Sequence, residues 1–189
     1  AGEPPVWFVF GGNGCQWLGM GKSLYDASAV FRQTLDRCIA VGRSVGVDLA
    51  PLLVDTKDSV ADSFSPAHGD MGLAAIQISV VEMMRHAGVK CSGTIGHSAG
   101  ETVCGYVDGG CTLEQAILIA HARATCVVDF PDILGRGLMA AVGLDRATAE
   151  QVVKPYHPHV VVGCHNSPDG VTLSGRVDVM KSLLEGLKE

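Results

Sequence analysis

Residues 93–110 read GTIGHSAGETVCGYVDGG, and within them Gly96-His97-Ser98-Ala99-Gly100 has the form G-x-S-x-G. An apolar approach precedes this stretch and a helical pattern follows it. A chain that must leave a strand and enter a helix within so few residues turns sharply. Glycines on both sides of the serine remove the side chains that would clash there. The expected result is a strand, a tight turn with the Ser98 hydroxyl at its tip, and a helix. The first N–H groups of that helix and the positive end of its dipole would face the serine, which suits a developing oxyanion. An ordinary Gly/Ser turn would use the same five letters. The strand before and the helix after are what select the strained turn of a nucleophile.

The rest of the chain is read around that turn. VWFVF (6–10) is a short apolar run read as a buried parallel strand, and GGNGCQWLGMG (11–21) is a glycine-rich loop. Phe31, Leu35, Cys38 and Ile39 recur at helical spacing. Residues 55–70 are polar with turn signals and read as loop or short helices. Met71 to Ala87 is apolar almost all round, so it reads as a central buried helix that Gly88 stops. Thr112 with Gln115 three residues on forms a capping-box pattern for a helix to about Val128, broken at Phe130-Pro131. From Gly135 the texture changes. LMAAVGL (138–144) reads as a strand, Asp145 caps a helix through Val153, HVVVGCHN (159–166) and VTLS (171–174) flank an SPDG turn, and Val177 to Leu187 is an amphipathic helix. The order β-α-β-β-α is a ferredoxin-like unit without its last strand. The expectation is an α/β chain: a hydrolase-like large subdomain with a parallel sheet over 1–134, and an incomplete ferredoxin-like small subdomain over 135–189.

Composition narrows the partners. With 189 residues, 47% hydrophobic and 18% charged, the chain can bury a sizeable core. A net charge of −6 without a basic run argues against nucleic acid and against anionic membrane. The opening residues carry no signal-peptide pattern. Met71–Ala87 is short for a membrane span and contains Gln77, Glu82 and Arg85, so a cytoplasmic chain is expected. Seven cysteines without a C-x-x-C pair suit reduced thiols, and no clustered Cys/His spacing suggests a metal.

Arg123 is the second informative residue. Leu113, Ala116, Ile117, Ala120, Ala124 and Val127 form the apolar stripe of the 112–128 helix, and Arg123 lies on or beside it. A buried guanidinium needs a partner, best a carboxylate, supplied either by the protein or by a substrate. In the 11–21 loop Gly12-x-Gly14 begins like a dinucleotide fingerprint, but Trp17 stands at the third glycine position. Such a loop can instead offer a backbone N–H to a neighbouring site. His97 adjoins Ser98 in sequence and so points elsewhere. His68, His86, His121, His157, His159 and His165 read as structural or exposed, so no base for Ser98 stands out.

These motifs together resemble a known family. GHSAGE is similar to the G-H-S-x-G-E motif of malonyl-type acyltransferase domains in fatty acid and polyketide synthases. FGGNGCQWLGMG is similar to their F-x-G-x-G-x-Q-W-x-G-M-G opening. AAIQIS (74–79), AHARATC (120–126), LMAAVGL and GCHNSPDGVTLSG (163–175) follow in the family's order. The nearest resemblance is to the malonyl/acetyl transferase of animal-type fatty acid synthases, or of polyketide synthases like them.

The resemblance implies a ping-pong transfer with an acyl-serine on Ser98. The backbone N–H groups of Asn13 and Ala99 would hold the oxyanion. Arg123, Gln16 and His97 would form the substrate side, with Arg123 gripping the free malonyl carboxylate and Gln16 shaping the loop. The substrate would be a malonyl-type coenzyme A thioester, with no cofactor bound permanently. The acceptor would be the phosphopantetheine of an acyl carrier protein, and ketosynthase and linker domains would flank the chain. Asn13 stands where Gln or Met is usual, and Asp70 where bacterial relatives carry Gln. The family's activating histidine would lie beyond Glu189, which makes the chain the front part of a domain. A serine esterase or thioesterase, and a non-catalytic fragment, are the rival readings.

Overall fold

In a computed structural model, residues 4–55, 65–126 and 135–187 are described. They divide into two compact units, Ala1–Cys126 and Val127–Glu189. The expected break at Phe130-Pro131 and the 134/135 boundary fall at 127–134, outside or at the edge of the described residues.

The first unit holds β1 (Val6–Phe10), α1 (Lys22–Ala27), α2 (Ala29–Ser44), α3 (Ala50–Leu53), α4 (Pro66–His86), β2 (Cys91–Gly96), a 3-10 turn (Ser98–Gly100), α5 (Glu101–Val107) and α6 (Leu113–Cys126). β1 and β2 pair in parallel, with Phe10 opposite Gly96. The two strands therefore end side by side, and both following loops leave from the same sheet edge. α4 packs between α2 and α6. Phe31, Leu35, Leu49, Met71, Ile78 and Ile117 fill that core with no exposure. Each such side chain contributes roughly 1.5–3 kcal/mol by leaving water.

Three sequence expectations are corrected here. The short helix α1 was not foreseen. α4 starts at Pro66, inside the stretch read as loop or short helices. Pro66 sits in the first turn, where its missing N–H costs nothing, and the Ser65 N–H donates to His68 Nδ1 at 3.1 Å. Histidine in that role is not a capping-box signal a sequence reader looks for. β1, read as buried, covers only one face: Phe8 and Phe10 join the core, while Trp7 and Val9 are 55% and 73% exposed. The Thr112 cap is as expected, with reciprocal bonds between Thr112 and Gln115 at 2.9 and 3.2 Å.

The second unit holds β3 (Gly137–Val142), α7 (Arg146–Val153), a 3-10 turn (Lys154–Tyr156), β4 (Val160–Ser167), β5 (Gly170–Arg176) and α8 (Val177–Gly186). The sheet order is β3-β5-β4, with β5 antiparallel to both neighbours. This is the split β-α-β arrangement expected of a ferredoxin-like unit. Asp145 caps α7, accepting from the Thr148 N–H at 3.0 Å. Val160, Val171, Leu173, Met180 and Leu183 make its separate core. Among the described residues no helix is long and apolar enough to cross a membrane.

Candidate active site

The site forms where the β1 and β2 exits meet. Ser98 has φ 52°, the only non-glycine in the left-handed region among the described residues. An L-residue held there costs roughly 1–2 kcal/mol. Three glycines make the turn possible. A Cβ at Gly96 would lie 2.6 Å from the Glu101 backbone, and one at Gly100 would lie 2.4 Å from the Phe10 carbonyl oxygen. At Gly12 a Cβ would come within 2.7 Å of the His97 carbonyl oxygen and 2.9 Å of Ser98 Cβ. The β1 loop thus lies directly against the serine. Ser98 is exposed and Ala99 buried at the start of the turn.

The loop is held from within and from α4. The Gly14 N–H donates to Gln16 Oε1 at 2.8 Å, so Gln16 shapes its own loop. Gln77 Nε2 donates to the Gly11 carbonyl at 3.3 Å. Asn13 Nδ2 donates to Asp70 Oδ1. Asp70 is only 6% exposed, a charged side chain facing inward from the first part of α4. Arg123 stands beside it, with Nε 3.9 Å from Asp70 Oδ2, and its Nη1 donates to the Ser98 carbonyl at 3.2 Å.

Arg123 departs from expectation in one respect. Leu113, Ala116, Ile117 and Ala120 form the buried stripe, but the Arg123 side chain is 41% exposed. It lies on the flank of the stripe and reaches out over the serine. Asn13, Gln16, Ser98, Ala99, Asp70 and Arg123 come together. His97 is exposed, and among the described residues the Ser98 hydroxyl has no hydrogen-bond partner. His86 and His121 lie on α4 and α6, and His157, His159 and His165 belong to the second unit. Burial holds the His68 pKa below its ordinary value.

A family description, Acyl transferase domain, matches residues 7–189. The chain belongs to the acyl transferase domain family. It is 35% identical over 186 residues to the reducing polyketide synthase DEP5 of Fusarium langsethiae, covering 96% of this chain and 8% of that protein. The acyl transferase domain of ZmaA superposes with a TM-score of 0.84 at 26% identity, over 98% of this chain and 43% of that one. The fold is shared with a malonyl CoA-acyl carrier protein transacylase from Clostridium perfringens, TM-score 0.82 at 19% identity, over 98% and 58% of the two chains. The chain is therefore an acyl transferase domain with relatives among fungal polyketide synthases, and it spans a small part of their length.

Asp70 and Gln77 bond to the β1 loop beside Ser98, contacts that sequence reasoning missed. With the helix placed from Met71 on, Asp70 fell in a polar loop, where a carboxylate needs no partner. Gln77 was read as a reason against a membrane span and as part of the AAIQIS motif, without a partner. A helix start at Pro66 would have put Asp70 among Ala67, Met71 and Ala74, all buried. A carboxylate in that company requires a donor.

Proposed function

We propose that this domain moves a malonyl-type acyl group from coenzyme A to the phosphopantetheine thiol of an acyl carrier protein. Ser98 Oγ attacks the thioester carbonyl and loses its proton to a base. The C–S bond breaks and coenzyme A leaves as the thiol. The carrier thiol then attacks the acyl-serine ester and frees the Ser98 hydroxyl. The Ala99 N–H lies in the first turn after the nucleophile, where no helical acceptor precedes it. With the Asn13 N–H it would hold the oxyanion. Gln16 keeps the loop in shape, His97 lies on the substrate side, and Arg123 receives the free acyl carboxylate. No permanently bound cofactor is required by this chemistry.

The observation that carries the reading is Ser98 in a strained, glycine-enforced turn with a half-exposed arginine directly over it. The motif likeness supports placement in a multidomain synthase, either an animal-type fatty acid synthase or a polyketide synthase like it, working in the cytoplasm beside a ketosynthase. The test is intact-protein mass of the complete protein after incubation with acyl-coenzyme A species. A malonyl adduct on Ser98 is expected. An adduct that survives Ser98→Ala would sink the assignment. Arg123→Ala should reduce malonyl loading at least about tenfold more than acetyl loading, the equivalent of one charge-assisted contact. Equal losses would make Arg123 structural.

A further inference from the structure

The acyl-transfer reading gives Arg123 a substrate carboxylate to bind, yet a protein carboxylate is already at hand. Asp70 is almost fully buried and fixed. One oxygen accepts from Asn13 Nδ2 and the other faces Arg123. At 3.9 Å the Arg123 contact is longer than a hydrogen bond, so it acts through charge. The guanidinium therefore keeps donors for a ligand. Its Nη1, however, is engaged by the Ser98 carbonyl. A carboxylate that takes two parallel N–H bonds would use the remaining donors, which include the Nε beside Asp70. Two carboxylates would then share one guanidinium at close range, and like charges so placed oppose one another. An acyl group without a carboxylate meets no such opposition.

We infer that Asp70 is a specificity-determining residue. Its carboxylate competes with the acyl carboxylate for Arg123 and lowers the preference for free-carboxylate acyl groups over neutral ones. The inference rests on acyl transfer through Ser98.

The experiment uses the complete protein and compares Asp70→Asn with wild type. Asparagine keeps the size and leaves an amide oxygen to accept from Asn13. Single-turnover loading of Ser98 is read by intact mass with malonyl-coenzyme A and acetyl-coenzyme A. The malonyl-to-acetyl ratio of kcat/KM should rise about tenfold. A ratio that is unchanged or falls, or an equal loss for both substrates, overturns the inference and leaves Asp70 as loop support. Wild type that loads neither thioester overturns the acyl-transfer reading itself, so the two failures are distinct. Arg123→Ala supplies a second route. It removes the guanidinium for which the two carboxylates compete. In that background Asp70→Asn should leave the malonyl-to-acetyl ratio within about threefold, so the two substitutions are coupled. A tenfold rise that persists without Arg123 overturns the inference.

Discussion

The exits of β1 and β2 leave the same sheet edge one strand apart, and both are rich in glycine. They use glycine differently. In the β1 exit the residues with positive φ are themselves glycines, Gly14 at 103° and Gly19 at 74°. A Cβ at Gly14 would have open space. In the β2 exit the positive φ falls on Ser98, and the glycines around it supply room for close backbone approach. One loop keeps its positive φ on glycine, lies against the serine through Gly12, and is held by Gln16, Gln77 and Asp70. The other stores strain at the residue with the hydroxyl. Strain retained against an easy alternative, glycine itself, marks the position where a side chain is needed.

The comparison breaks most visibly at the hydroxyl. Ser98→Ala should lower acyl loading by roughly a thousandfold or more, since no other nucleophile replaces it. Asn13→Ala keeps the proposed backbone donor but removes the bond to Asp70, so it should cost on the order of tenfold, far less than Ser98→Ala. Comparable losses would show that the Asn13 side chain is as necessary as the Ser98 hydroxyl.

Stability separates the exits next. Gly100→Ala pushes a Cβ to 2.4 Å from the Phe10 carbonyl oxygen and should cost about 3 kcal/mol. Gly14→Ala meets no neighbour and should cost about 1–2 kcal/mol from its dihedral alone. Thermal melts of the complete protein decide, and equal costs would mean that close approach does not govern the β2 exit. A smaller effect sharpens the strain argument. Ser98→Gly should be more stable than Ser98→Ala by about 1 kcal/mol, although both are inactive. The reverse order would show that φ 52° is not strained.

The smallest expected effect lies at α4, which carries Asp70 to the β1 loop. His68 Nδ1 accepts from the Ser65 N–H, and burial lowers its pKa in the folded state. The folded chain then holds fewer protons than the unfolded one. Stability is complete above the unfolded pKa of about 6.5 and declines as pH falls from there toward the lower folded value. The protection factors of amides in the first turn of α4, with the intrinsic pH dependence of exchange divided out, should fall in that window, and His68→Gln should remove that fall. A pH-independent protection factor would place the histidine outside the cap.

What the sequence determined by itself is local. Gly96, Ser98 and Gly100 between a strand and a helix dictate the elbow, because the steric demand is met within five residues. Thr112 and Gln115 close their box across three. The described strands and helices of the second unit were legible in the sequence, since its strands alternate, Asp145 caps α7, and SPDG turns the hairpin. Tertiary structure decided the rest. Asp70 meets Asn13 from 57 residues away, and Arg123 meets the Ser98 carbonyl from 25. Spacing on α6 placed Arg123 near an apolar stripe, but only the packing of α6 on α4 and α5 set its exposure and its partner. Helical periodicity fixes the direction of a side chain within its own element. Which donor or charge it meets depends on where distant elements dock, and a buried carboxylate such as Asp70 acquires its partners only there.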